Sequence, residues 1–179
     1  MTYRNTEMRI SPLAVLAAFI GLISHTPAQA QVSISSKTLP LSIAIIAAQT
    51  AVDTCKVNGY NVTATVVDVS GTPQVVLRGD HAVIHTKDSS FRKAYTVVTM
   101  GPIFGLDRTS DFVQLVAKYP NGTGAQLAST PNVVALPGAV AIKRGSEIVA
   151  ALGVGGSPGG DKDEACAAAG VTAIADQVK

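Results

Sequence analysis

Residues 139–160 read AVAIKRGSEIVAALGVGGSPGG, and this stretch decides the fold class. Its apolar runs containing Val and Ile predict two strands, over 139–143 and 147–154. The sequence between them, Arg144-Gly145-Ser146, predicts a tight connection, so the two strands pair antiparallel. A glycine-rich corner over 155–160 then leads the chain into a final helix.

Turn and capping signals predict the elements on either side of this stretch. A first helix begins after Thr38 and ends at Asn58-Gly59, which supplies a left-handed stop. The remaining patterns predict strands over 61–69 and 74–78, helices over 86–100 and 110–118, an exposed excursion over 120–131, a strand over 132–136 and, after the corner, a helix over 161–177.

The order of these elements predicts an α+β fold rather than a doubly wound one, because hairpin-joined strands are grouped apart from the helices. We expect a central antiparallel sheet of about five strands, with the N- and C-terminal helices packed on one face. Side by side, those two helices would bring Cys55 and Cys166 within reach of each other.

The first thirty residues have the pattern of a secretory signal peptide. Two arginines precede an apolar run over 12–23, and Ala28-Gln29-Ala30 is the small-x-small pattern after which a signal peptidase cleaves. We therefore expect residues 1–30 to be removed and residues 31–179 to form a single exported domain, periplasmic or secreted. The mature chain contains no apolar stretch long enough to predict a membrane span.

Cys55 and Cys166 are the two cysteines of the chain. An exported compartment favours a disulfide between them. The alternatives are two small core residues or a metal site built on thiolates, although a thiolate site usually has more ligands nearby in sequence. A disulfide here would close a loop of about 110 residues, for which the chain-entropy model gives roughly 4 to 5 kcal/mol.

The predicted mature domain carries little net charge. Beyond residue 30 the chain has 12 Lys and Arg against 11 Asp and Glu, and the basic residues form no stripe. Nucleic acid is therefore not an expected partner. The chain is 47% hydrophobic, which is compatible with extensive subunit contacts, and we expect a homo-oligomer.

His81 and His85 are the two histidines beyond residue 30, and both precede the helix predicted over 86–100. Imidazole can ligate iron or transfer protons near neutral pH. The alternative is that both are solvated loop residues. A zinc site built on this pair is disfavoured, because histidines four apart share a face only on a helix and Gly79-Asp80 indicates a loop.

The helix that follows contains Arg92-Lys93-Ala94-Tyr95-Thr96, which places a cation, an aromatic ring and a hydroxyl within two turns. Lys93 and Thr96 lie three residues apart, so both can point at one pocket. The pattern also fits an ordinary amphipathic helix. The chain has no H-E-x-x-H or C-x-x-C motif, so the sequence gives no support to a metalloprotease or a dithiol redox function of these types.

The glycine-rich corner allows two interpretations. Its backbone N–H groups could bind an anion at the start of the last helix. However, Asp161, Asp163 and Glu164 crowd the first turn of that helix, where they favour the helix dipole and repel an anion. A tight strand-to-helix corner with an acidic cap is therefore the favoured interpretation.

Several segments together resemble the GlcG/HbpS-like family of haem-binding proteins, which includes the C-terminal domain of PduO-type proteins. Two departures are Ala139, where a second glycine is usual, and a long loop over 119–131. The matching pieces follow the family's order across nearly all of the mature chain: Val66-Val67-Asp68, His85-Thr86, Arg92-Lys93-Ala94-Tyr95-Thr96, Leu136-Pro137-Gly138, residues 153–160 and Asp163-Glu164-Ala165-Cys166.

The resemblance implies a profilin-like fold, assembly into dimers or larger oligomers and, as in several members, binding of haem. By that resemblance Thr96 matches an iron-side contact of some members, and His85 belongs to a His-Thr variant of the segment before the helix. A haem site needs an axial donor, an apolar slot and cations near the propionates. We expect His85 and Thr96 at the iron, with other candidates for donors or propionate partners being His81, Tyr95, Met100, Arg92 and Lys93.

Three functions are consistent with these features. The first is an exported haem-binding protein that stores, scavenges or senses haem. The second is a haem-dependent peroxidase or haem-degrading enzyme, which the sequence supports less because it places no clear distal acid–base pair. The third is a cofactor-free oligomeric protein with an accessory or sensory role.

Overall fold

The computed structural model describes residues 37–119 and 122–179, so the predicted signal peptide lies outside the described residues. None of the helices in these ranges combines the length and the apolar composition of a membrane-spanning segment. The elements are α1 (Leu41–Val57), β1 (Thr63–Asp68), β2 (Pro73–Arg78), α2 (Thr86–Phe104), α3 (Thr109–Ala117), α4 (Thr123–Ala128), β3 (Ala139–Arg144), β4 (Glu147–Gly155), α5 (Gly160–Ala173) and a short 3-10 helix (Ala175–Gln177).

The strands form one antiparallel sheet in the order β2-β1-β4-β3, which confirms the α+β class. The strand predicted over 132–136 is wrong, so the sheet has one strand fewer than expected. The outer edge of β3 is already occupied there: the Ala141 N–H donates to the Asp107 carbonyl oxygen at 2.8 Å. Arg108 also forms an isolated bridge with Val140. No neighbouring strand is therefore needed to satisfy this edge.

Two helical details also differ from the prediction. The helix predicted to stop at Gly101-Pro102 continues to Phe104, and Gly105 ends it in the left-handed conformation. Pro102 therefore lies inside the last turn of α2 rather than beyond its end. The excursion predicted over 120–131 contains the short helix α4.

Helices α1 and α5 pack side by side on one face of the sheet, as predicted. The Ala47 carbonyl oxygen and the Ala51 side chain of α1 lie against Gly170 of α5, whose added Cβ would lie 3.2 Å from the Ala51 Cβ. Cys55 and Cys166 are buried between the two helices and form a disulfide, with their Cα atoms 5.6 Å apart. The predicted pairing is therefore present in the structure.

Helix α2 covers the opposite face of the sheet. Side chains of β1 alternate between the faces, and the hydroxyl of Thr65 reaches that of Ser90 on α2 at 2.7 Å. On β4, Gly153 lies directly beneath the helix: an added Cβ would overlap the Ser90 carbonyl oxygen and lie 2.7 Å from the Ala94 nitrogen. The absence of a side chain at Gly153 therefore sets how closely α2 approaches the sheet.

This close approach predicts the effect of Gly153→Ala. The new methyl group would meet α2 backbone rather than a flexible side chain, so we expect about 3 kcal/mol of destabilisation, the upper end for overpacking. Urea unfolding followed by circular dichroism measures it. Gly59→Ala is the matched control, since nothing lies within 4 Å of its added Cβ and its φ of +81° costs about 1 kcal/mol. Equal losses in the two variants would contradict the packing argument.

Candidate functional site

A groove of about 260 Å³ lies beside the first half of α2. One side is α2 itself, and the other is the irregular stretch over 133–138, which we call the wall segment. The groove is open to solvent at His85 and Leu136, both of which are exposed. Its lining residues are His85, Asp88, Ser89, Arg92, Lys93, Val134 and Leu136.

The helical repeat places the polar lining residues together. His85 is the N-cap of α2, and Ser89 and Arg92 follow at four and seven residues, so all three lie on one face. The structure thus brings together three of the predicted site residues, His85, Arg92 and Lys93. Asp88 and Ser89, which the sequence analysis did not single out, share the groove with them.

Side chains of α2 hold the wall segment in place. Arg92 donates from Nη2 to the Val133 carbonyl oxygen at 2.7 Å. One turn later, the Thr96 hydroxyl accepts the Val134 N–H at 2.9 Å. These side chains satisfy backbone groups that a β-ladder would otherwise use, which is a second reason why the predicted strand is absent.

Lys93 lies in a buried ion pair. Its Nζ donates to Asp163 Oδ2 at 2.7 Å and to the Val154 carbonyl oxygen at 3.0 Å, and both charged side chains are about 5% exposed. The other carboxylate oxygen of Asp163 accepts the Ser157 N–H at 2.9 Å. The lysine ammonium, which was expected to meet a propionate, is therefore engaged inside the protein. Asp163 thus fixes the glycine-rich corner, but no side chain makes a capping hydrogen bond at the start of α5.

Glu164 organises the other end of the wall segment. Its carboxylate accepts the Ser110 hydroxyl at 2.7 Å, the Ser110 N–H at 3.0 Å and the Gly138 N–H at 3.3 Å. It also lies 3.8 Å from Arg108 Nη1. The sequence placed this residue in an acidic cap but gave no signal for partners more than 20 residues away. Glu164 thereby joins α5, the start of α3 and the wall segment.

The remaining predicted site residues lie outside the groove lining. Thr96 is buried behind Val134, and Met100 is buried in a core cluster with Phe112. The Tyr95 ring faces Phe91, with the ring centroids 5.6 Å apart, and also contacts Gly71 in the turn between β1 and β2. His81 is exposed in the turn before α2 and has a left-handed φ of 61°.

Three large apolar side chains are exposed in the groove lining or next to it in the sequence. Leu136 on the wall segment is 54% exposed, and Val83 and Ile84, immediately before His85, are 58% and 69% exposed. Solvent-facing apolar groups beside a groove typically mark a binding surface. The groove itself is slightly smaller than the roughly 300 to 1,000 Å³ typical of pockets for drug-sized ligands. A ligand larger than this volume would therefore extend beyond the groove.

The described part of the chain has a second cleft, which differs from the groove in its lining. This cleft of about 290 Å³ lies between α1 and β2, and it is lined mainly by polar side chains, including Gln49, Asp53, Lys56, Arg78 and Asp80. None of the predicted site residues lines it. Among the described residues, no three His, Cys, Asp or Glu side chains come together in a way that could hold a metal ion.

Comparison with known proteins identifies the family. A family model described as "Haem degrading protein HbpS-like" matches residues 39–172. The chain belongs to this HbpS-like family. The family resemblance read from the sequence is thereby confirmed. A search of curated proteins finds no match to the chain.

Solved structures agree with this HbpS-like assignment. The crystal structure of HbpS is 33% identical, with a TM-score of 0.70 over 82% of this chain and 97% of that one. A double mutant of Streptomyces reticuli HbpS gives the same identity and TM-score over 83% and 99%. A PduOC:heme complex is 22% identical, with a TM-score of 0.67 over 77% and 96%, and shares the fold.

Proposed function

We propose that this HbpS-like protein is an exported haem-binding protein that stores, scavenges or senses haem. The observation that carries the proposal is the groove beside α2, where an exposed imidazole, a cation and exposed apolar side chains lie together. These are the groups that a haem site requires. The family assignment and the heme complex of a structural neighbour support the choice of ligand.

Each groove residue would have a distinct role toward haem. The His85 imidazole would be the axial donor, since it is the one histidine in the groove lining. Val134 and Leu136 would contact the macrocycle, and Ile84, which is exposed next to His85 in the chain, would extend that apolar surface. Arg92 donates one N–H to the Val133 carbonyl oxygen, and its other N–H groups would bind a propionate. When bound, the iron would supply ligand-binding and redox chemistry.

A haem-degrading activity is the second candidate function. The description of the family favours it. In the groove, the Asp88 carboxylate follows His85 by less than one helical turn and could hold or move a proton beside a bound ligand. Loss of the Soret band with release of iron, after adding a reductant and oxygen to the hemin complex, would favour degradation over storage.

Export and assembly are part of the same proposal. Residues 1–30 would be removed as a signal peptide, and residues 31–179 would act in the periplasm or outside the cell. The disulfide between Cys55 and Cys166 supports an oxidising compartment. The chain would act as a homo-oligomer, and the exposed apolar side chains of α1, Leu41, Ile45 and Ile46, offer surface for subunit contacts.

Hemin titration of wild-type protein and His85→Ala tests the proposed function. We expect a Soret band for the wild type and at least about a 10-fold weaker affinity, with a displaced band, for His85→Ala, because loss of an axial bond exceeds 1.4 kcal/mol. His81→Ala is the matched control, since that exposed histidine lies outside the groove lining. A displaced Soret band in His81→Ala alone would identify His81 as the axial donor. Absence of any Soret band in the wild type would refute haem binding.

A further inference from the structure

The Thr96 hydroxyl is placed to control the wall segment. The residue is 1% exposed, and its Oγ1 accepts the Val134 N–H at 2.9 Å. The hydroxyl proton has two acceptors, the Arg92 carbonyl oxygen at 2.8 Å and the Val134 carbonyl oxygen at 3.4 Å. A hydroxyl has one donor and two acceptor positions, so most of its hydrogen-bonding capacity is already used.

The hydrogen bonds of Thr96 fix the residue that forms the apolar side of the groove. Val134 lines the groove, while its neighbour Val133 is buried in a core cluster with Met100 and Phe112. Arg92 and Thr96, one turn apart on α2, hold the backbone of these two valines. The distance between the Val134 side chain and the helix is therefore set by polar contacts rather than by a β-ladder.

We propose that Thr96 is a positioning residue that locks Val134 against α2 and thereby sets how long haem stays bound. The inference rests on the proposed function. It gives Thr96 a role other than the iron contact that the family resemblance implies. A bond to iron would require the metal to reach a hydroxyl that is 1% exposed and lies outside the groove lining. Thr96 instead acts through the wall segment.

Thr96→Val tests this role, because valine keeps the shape of the side chain and removes the hydroxyl. We expect the rate of hemin loss to an excess of a haem-scavenging protein to rise about 10-fold, the equivalent of one hydrogen bond. The position of the Soret band should not change. Thr96→Ser retains the hydroxyl and should release hemin within about 2-fold of the wild-type rate. Thr96→Ala gives the same readout if the valine variant does not fold.

Thr99→Val is the matched control. Thr99 lies on the same helix and donates to the Tyr95 carbonyl oxygen at 2.7 Å, but it makes no hydrogen bond to the wall segment. Its loss should leave the rate of hemin loss unchanged. A Soret band that moves in Thr96→Val and returns in Thr96→Ser would show an iron ligand and overturn the proposal. An unchanged rate of hemin loss would also overturn it.

Amide hydrogen exchange separates this proposal from the proposed function. In haem-free protein, Thr96→Val should accelerate exchange of the Val134 amide by about 10-fold while Thr99→Val does not. Unchanged exchange overturns the positioning role even if haem binds. A wild-type protein without any Soret response refutes haem binding, and with it this role for Thr96, even if the exchange result shows that the Val134 backbone is held.

Discussion

Replacing Lys93 by methionine is expected to lower the free energy of unfolding by about 3 to 5 kcal/mol. Methionine fills a similar volume but leaves the Asp163 carboxylate buried without its cation. Asp163 is 3% exposed, so water cannot take the place of the ammonium, and only the Ser157 N–H would remain as a partner. Chemical denaturation of the purified variant measures the loss.

Two further variants identify the cause of that loss. Removing both charges in Lys93→Met with Asp163→Asn should recover part of the stability, because an uncharged pair avoids the buried unpaired carboxylate. Lys87→Met removes a lysine whose ion pair with Asp88 is exposed, and it should cost at most about 0.5 kcal/mol. If the double variant is as unstable as the sum of its single changes, the buried charge is not the cause.

Removing the disulfide is expected to have a comparable effect. Cys55→Ala with Cys166→Ala opens a covalent loop with a sequence separation of 111 residues. The chain-entropy model gives a loss of about 4 to 5 kcal/mol, because the unfolded chain regains that freedom. Alanine suits both positions, since the two cysteines are buried between α1 and α5.

Reduction provides the control for the disulfide prediction. A reducing agent should lower the unfolding midpoint of the wild type and have no effect on the double alanine variant. The prediction would be contradicted if a reducing agent left the unfolding midpoint of the wild type unchanged and the double variant lost no more stability than two ordinary core truncations. The disulfide would then not constrain the unfolded chain.

The sequence predicts those parts of the fold that depend on local patterns. The hairpin formed by β3 and β4 follows from two apolar runs around Arg144-Gly145-Ser146, and the C-terminal end of α1 follows from Asn58-Gly59. The cap predicted at Thr38 is wrong, because the N-cap of α1 is Pro40 and no side chain caps that end. The strand predicted over 132–136 is wrong because its apolar pattern suits a strand, whereas its hydrogen-bond partners are side chains some 40 residues earlier. Local patterns carry no information about such distant partners.

In the candidate site too, local patterns predict some features, whereas others depend on partners distant in sequence. The family motifs predict His85, Arg92 and Lys93, and helical spacing brings them to one groove. The pairing of Lys93 with Asp163 spans 70 residues, and nothing in the spacing of either segment indicates it. Ordinary amphipathic helix and functional helix have the same pattern here, so only the packed structure distinguishes side chains that face the groove from those that fix its wall.

Nuclear magnetic resonance of the labelled protein with gallium protoporphyrin IX tests the central claim most directly, because this diamagnetic haem analogue reports where the macrocycle binds. The account predicts shifts of the backbone amide signals concentrated in residues 83–96 and in the wall segment over 133–138. Shifts confined to the cleft between α1 and β2, around Asp53 and Arg78, would contradict it. Absence of any shifted signal would contradict it equally.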